Sequence, residues 1–171
     1  LLIIYAGNMG ITHPLEYLID SFKSISQYSK IILIGDGSKK NSLKKSCLKF
    51  KKDKPLFLDP VPLEELPYFL GAADLSIVSI DSQSSNISLP SKLFSALNCS
   101  QAILAIAPLD SELSRIVLNF NCGFVITPDN SFEENIKKLF EDLISNPEKL
   151  RIAKSNAKIA SKKFSQENAK K

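Results

Sequence analysis

The 171-residue chain is 44% hydrophobic and 23% charged, proportions that exclude a disordered chain, and its length predicts one domain with a real core. No apolar run approaches the ~20 residues of a membrane span. Three cysteines (Cys47, Cys99, Cys122) without a C-x-x-C pair argue against a disulfide framework or a zinc ribbon and point to a reducing compartment, and a Cys/His metal site or a Ser-His-Asp triad would have to use the one histidine, His13; no metal is expected.

The chain opens on the apolar run Leu2–Ala6 with no charged region before it, so it reads as a piece of a longer protein rather than a signal peptide. Five similar runs follow: Ile31–Ile34, Leu56–Leu58, Leu75–Ile80, Ala102–Ile106 and Phe124–Ile126. Nearly continuous Ile, Leu and Val predicts parallel strands buried on both faces. Helical signals lie between them. Pro14 opens a stripe of Leu15, Leu18, Ile19 and Phe22. The segment Ser38–Phe50 puts Leu43, Cys47 and Phe50 on one face. Pro62 suits a first helical turn, with Glu64 and Glu65 near the N-terminus. Ser91 begins the next helix, Ser111 caps Glu112–Leu118, and Asn130 or Ser131 caps a helix through Ile144. Asn146-Pro147 then breaks the chain before a final helix to about Phe164. The series predicts an α/β, Rossmann-like open parallel sheet of about six strands with helices on both faces.

Ligands of such sheets bind beyond the carboxyl ends of the strands, so the loops there are the ones to read. Gly7-Asn8-Met9-Gly10 is either a phosphate cradle of backbone N–H groups or a tight turn. Gly35-Asp36-Gly37 permits a turn with positive φ. The polar run from Asp81 leads to Leu89-Pro90-Ser91-Lys92, where a helix N-terminus, a hydroxyl and an ammonium make a phosphate site, unless Ser91 is simply a cap and Lys92 solvated. The acidic Pro108–Glu112 segment reads equally as capping. His13 is an exposed turn residue or a phosphate contact, and the cysteines are packing residues.

The net charge of +4 is concentrated. Lys39, Lys40, Lys44, Lys45, Lys49, Lys51, Lys52 and Lys54 stand against Asp53 alone, and Lys154, Lys158, Lys162, Lys163, Lys170 and Lys171 mark the tail. These are solvated helix faces or a contact for anionic phospholipid. Arg is scarce and no aromatics interleave with the lysines, so no nucleic-acid partner is expected.

Taken in order, Tyr5–Gly10, Ile32–Gly37, Val61-Pro62-x-Glu64-Glu65-Leu66-Pro67, Gly71-Ala72-Ala73-Asp74-Leu75 and Leu89–Phe94, with Cys122–Val125 and Pro128-Asp129, resemble one family. It is the C-terminal, donor-binding half of GT-B fold, family 4 retaining glycosyltransferases, closest to the bacterial surface-polysaccharide branch. The resemblance implies transfer of a sugar from a nucleotide-diphosphate sugar to a glycan or lipid-linked acceptor, with the nucleotide sugar as substrate and no cofactor. It implies a donor-binding domain over residues 1–146, a C-terminal helix and basic tail over 147–171, and an N-terminal acceptor domain outside this chain. It implies a cytoplasmic protein that can work at the inner face of the membrane.

By the same resemblance, Gly7, Asn8, Met9, Gly10, Ser91 and Lys92 hold the diphosphate. Gly35, Asp36, Gly37, Pro60, Val61 and Ser95 border the nucleoside, and Ser88 and Leu89 approach the sugar. No catalytic residue is assigned. Many relatives carry glutamates in an E-x7-E arrangement where this chain has Ile87 and Ser95. The Arg/Lys pair that many relatives place after the first strand is missing, with Asn8 and His13 nearby. A non-catalytic nucleotide-sugar binding module and an epimerase-like GT-B domain are the alternative readings.

Overall fold

Six apolar runs form six parallel strands: β1 (Leu2–Ala6), β2 (Lys30–Ile34), β3 (Leu56–Leu58), β4 (Leu75–Ser79), β5 (Ala102–Ile106) and β6 (Gly123–Ile126). The computed structural model describes residues 1–85 and 89–168. The strands lie in the order β3-β2-β1-β4-β5-β6, with Ile3 of β1 opposite both Ile31 of β2 and Leu75 of β4. This is the doubly wound Rossmann order, and each strand matches its sequence expectation to within one residue at either end.

The near-continuous apolar character of the strands has a simple cause: both sheet faces are covered. Ile3, Tyr5, Leu33, Leu75, Leu104 and Ile106 face one layer, built by α1 (Glu16–Asp20), α2 (Phe22–Ile25), α3 (Lys40–Ser46) and α7 (Phe132–Ser145). Their neighbours Val78, Ile103 and Ala105 face the opposite layer of α5 (Ser91–Asn98), α6 (Glu112–Asn119) and α8 (Pro147–Asn168). Ile4 and Ile34 on that side meet α4 (Leu66–Ala72) through Leu70.

Some helix boundaries move. The stripe Leu15–Phe22 faces the core as expected, but it divides at Ser21, whose carbonyl accepts both the N–H and the hydroxyl of Ser24. α3 begins at Lys40, and its last turn tightens into a 3-10 turn at Cys47–Lys49. Pro62 opens a turn, with Glu65 and Leu66 N–H groups on its carbonyl, and α4 begins only at Leu66. The reason is Pro67. It has no N–H, so it fits only in a first helical turn. Before α7 the side chain at work is Asp129, which accepts from the N–H and the hydroxyl of Ser131 at 2.8 and 2.6 Å; those bonds hold its carboxyl below the usual range.

The chain turns at Asn146, between α7 and α8. α8 buries Ala153, Ala157 and Ala160 against the sheet layers, and Phe164 meets Phe94 and Phe120 edge-on or tilted. Lys154 reaches the Ala73 carbonyl at 2.9 Å. Through these residues the C-terminal helix packs onto the sheet layers.

The Ser111 cap is present. Its buried hydroxyl accepts from the Ser114 N–H at 3.1 Å and donates to the Ser114 hydroxyl, which in turn donates to the Pro108 carbonyl. Ser111→Ala is expected to cost about 1 kcal/mol. At roughly 2–4 °C per kcal/mol for a chain of this size, thermal melting should register that loss.

Candidate functional site

The chain leaves β1 toward β2 on one side of the sheet and crosses to β4 on the other, so the strand order reverses between β1 and β4. The loops that follow these two strands therefore diverge and leave a crevice. A cleft of about 290 Å³ occupies it. Gly7 and Asn8 after β1, Ser76 on β4, Leu66 and Leu70 on α4, and Ser91, Lys92 and Ser95 on α5 line its walls. A smaller cleft of about 150 Å³ continues from it past Gly7 and Leu66 to Gly35, Pro60 and Val61.

Lys92 defines the crevice. Pro90, in extended conformation, is the N-cap of α5, so Ser91 and Lys92 are its first two helical residues, where unpaired backbone N–H groups and the positive end of the helix lie. Ser91 is exposed and is not the cap that the sequence allowed. Lys92 is not a solvated lysine either. Its half-buried side chain crosses Gly7 and puts Nζ 5.3 Å from the centre of the Tyr5 ring and 3.2 Å from His13 Nε2. Desolvation lowers its pKa.

His13 is fixed from behind. Its Nδ1 lies 2.7 Å from the Ser79 carbonyl, which can only accept, so Nδ1 carries the proton and Nε2 offers its lone pair to Lys92. Burial, then the Lys92 and Lys39 charges, lower the imidazole pKa. The Tyr5 hydroxyl donates to the Asn8 carbonyl, and burial raises its pKa.

The Gly7–Gly10 loop is less open than a phosphate cradle. Gly7 N–H donates to the Ile34 carbonyl and Met9 N–H to the Asp36 carbonyl at 2.6 Å. Met9 is fully buried in the core, so neither its side chain nor its N–H faces the cleft. Gly10 is also buried, and α1 begins only at Glu16, too far along to cap the loop. Gly7 and Asn8 are the members of this loop that line the crevice.

On the nucleoside side, Gly35, Pro60 and Val61 share the smaller cleft, and Ser95 lines the larger one. Asp36 instead accepts the Gly37 N–H, and Gly37 is pressed against Asn8 and Met9, so these two close the turn rather than face the cleft. Buried Lys40 ties the turn down, donating to the Gly35 carbonyl and to Asp59, each at 2.7 Å; Asp59 is held below the usual carboxylate range by that contact. Leu89 packs onto the core beside α5, and Ser88 lies outside the described residues.

Two features escaped sequence reading. Ser76 sits within an apolar strand, is buried, and has a hydroxyl with no partner among the described residues, on the floor of the crevice. The contact between Lys92 and His13 joins residues 79 positions apart. No three His, Cys, Asp or Glu side chains among the described residues are grouped to hold a metal ion.

The fold and crevice are those of an α/β domain built to take a ligand at its switch point. The model of the family Glycosyl transferases group 1 matches residues 1–160, and the chain belongs to that family, with the sheet of GT-B C-terminal domains. It is 24% identical over 127 residues to the "Probable glycosyltransferase WbjE" of Pseudomonas aeruginosa, covering 74% of this chain and 32% of that protein. HepE from Anabaena, solved in complex with UDP-glucose, superposes with a TM-score of 0.74 at 19% identity, over 95% of this chain and 44% of HepE. The C-terminal domain of the group 1 family protein LpcC from Francisella tularensis gives 0.75 at 15% identity, covering 95% and 84%. The chain thus spans about a third of WbjE and under half of HepE.

Proposed function

We propose that this chain is the donor-binding domain of a retaining glycosyltransferase that moves a sugar from a nucleotide-diphosphate sugar to a glycan or lipid-linked acceptor in polysaccharide biosynthesis. The observation that carries the reading is Lys92 at the N-terminus of α5, held half-buried over Tyr5 at the β1/β4 crevice. The departing nucleoside diphosphate gains negative charge in the transition state. An ammonium and helix N–H groups already in place stabilise that charge without reorganisation, and no cofactor is required for it. The smaller cleft at Gly35, Pro60 and Val61 suits the nucleoside, and Ser95 is placed to meet the ribose. The names of WbjE and the HepE complex support a nucleotide-sugar donor.

In this reading the acceptor and any catalytic base belong to an N-terminal domain beyond these residues, and the chain alone binds donor without transferring it. Equilibrium binding of nucleotide sugars to the chain, with turnover of labelled donor by the chain and by the longer protein, tests both points. Sugar transfer by residues 1–171 alone contradicts the division of labour. A second reading, a non-catalytic nucleotide-sugar binding module, is favoured by the hydroxyls of Ser76, Ser91 and Ser95 lining the crevice in place of carboxylates. It predicts binding with no turnover even by the longer protein.

The protein is proposed to act in the cytoplasm at the inner membrane face. No helix among the described residues is long and apolar enough to cross a membrane. Lys39, Lys40 and Lys49 are paired with Glu16, Asp59 and Asp20. The exposed Lys44, Lys45, Lys51, Lys52 and Lys54 flank exposed Leu48 in the sequence and supply the surface for anionic lipid in this reading.

A further inference from the structure

The one imidazole of the chain stands beside the half-buried Lys92 ammonium, on the ligand edge of the sheet. We propose that His13 takes up a proton at Nε2 when a diphosphate enters the crevice, so that His13 and Lys92 hold the anion as a pair of cations. This rests on the donor-site reading above and adds to it a proton-linked step and a second charged contact.

The geometry requires a change of role. In the free protein Nδ1–H is committed to the Ser79 carbonyl and Nε2 accepts from Lys92 at 3.2 Å. Two donors cannot face each other at that distance without an acceptor between them. An anionic oxygen supplies the acceptor. Lys92 turns its N–H groups to the oxygen, Nε2 loses its donor, and a proton from solvent lets Nε2–H donate to the same anion. No other bond forms or breaks, and the Ser79 contact keeps the ring in place throughout.

The surroundings set the direction. Facing the ring are Tyr5 from β1, the Ser79 carbonyl and hydroxyl from β4, Asp81 beyond it, Lys92 from α5, and Lys39 just before α3, which pairs with Glu16 and donates to the His13 carbonyl at 2.8 Å. Before the anion arrives, burial and the two lysines favour neutral imidazole and outweigh the Ser79 carbonyl and Asp81, which oppose them. A diphosphate reverses the balance, since a close opposite charge raises an imidazole pKa by about 1–3 units. Linkage then gives the sign. Where the bound-state pKa exceeds the free-state pKa, the extra affinity is complete below the free value. It is lost as pH rises through the bound value, at up to about tenfold per pH unit.

Because the chain has one histidine, a single imidazole resonance reports the event by NMR. The donor used is UDP-glucose, then ADP-, GDP- and dTDP-glucose. Their phosphates are all esterified and do not titrate near neutrality, unlike a terminal phosphate with its second pKa of about 6. In the free chain the resonance should titrate below the ordinary value of about 6.5, and move up in Lys92→Ala. With donor bound it should titrate about 1–3 units higher. His13→Gln should flatten the pH profile of donor affinity. An imidazole pKa unchanged by a donor whose binding Lys92→Ala weakens overturns the proposal and leaves the donor site standing. Equal donor affinity in wild type and Lys92→Ala, or failure of all four donors to bind, overturns the donor-site reading and this proposal with it.

Discussion

Lys92→Ala is expected to lower kcat/KM for donor turnover by roughly 10- to 150-fold in the longer protein, with the melting temperature nearly unchanged. The side chain is half-buried and reaches across the crevice to Gly7, Tyr5 and His13 rather than into a helix–sheet interface, so the core does not depend on it. What is lost is a charge-assisted hydrogen bond to the diphosphate, worth about 1.5–3 kcal/mol, and each 1.4 kcal/mol is about a factor of ten. Lys92→Arg should recover only part of the activity. A planar fork is a poor replacement for a compact ammonium squeezed between Gly7 and Tyr5. Lys44, which lies over the Phe57 ring outside the crevice, is the control. Full activity in Lys92→Ala, or an equal loss in a folded Lys44→Ala, contradicts the placement.

Gly35→Ala should damage the protein through the backbone. Gly35 has φ of +132°, a conformation costly for any side chain. A Cβ there would also stand 2.1 Å from the Gly7 carbonyl oxygen, which is rigid main chain. Strain of about 1–3 kcal/mol and overpacking of about 1–3 kcal/mol together give about 3 kcal/mol or more. That corresponds to a fall in melting temperature of roughly 6–12 °C. The same displacement pushes Gly7 toward Lys92 and should weaken donor binding by the protein that remains folded. Wild-type melting of Gly35→Ala would show that the two loops do not meet as described.

The strands were readable because burial on both faces writes itself as nearly continuous apolar residues, as in Leu2–Ala6 and Ala102–Ile106. Helix boundaries were less so. Pro62 and Pro67 both suit a first turn, and only the missing N–H of Pro67 within a hydrogen-bonded helix decides between them. The position of Lys92 at the start of a helix was legible from Pro90-Ser91. Its fold-back over Tyr5 toward His13 was not, because that contact depends on β1 and β4 being neighbours in space. The Gly7–Gly10 motif suggested four ligand contacts, yet Met9 serves the core, a choice that its hydrophobic side chain signals but a motif obscures. Ser76 was passed over because the two hydroxyls of β4, Ser76 and Ser79, three residues apart, do not follow the two-residue period of a strand.

The most direct measurement is where a nucleoside diphosphate sits. A crystal of the chain soaked with UDP, or with the nucleoside diphosphate that binds it best, should show the two phosphates between Gly7–Asn8 and the start of α5, with Lys92 Nζ within hydrogen-bond distance and the nucleoside directed past Gly35 toward Val61. Phosphates bound away from Lys92, for instance on the basic surface around Lys51 and Lys52, would contradict the account.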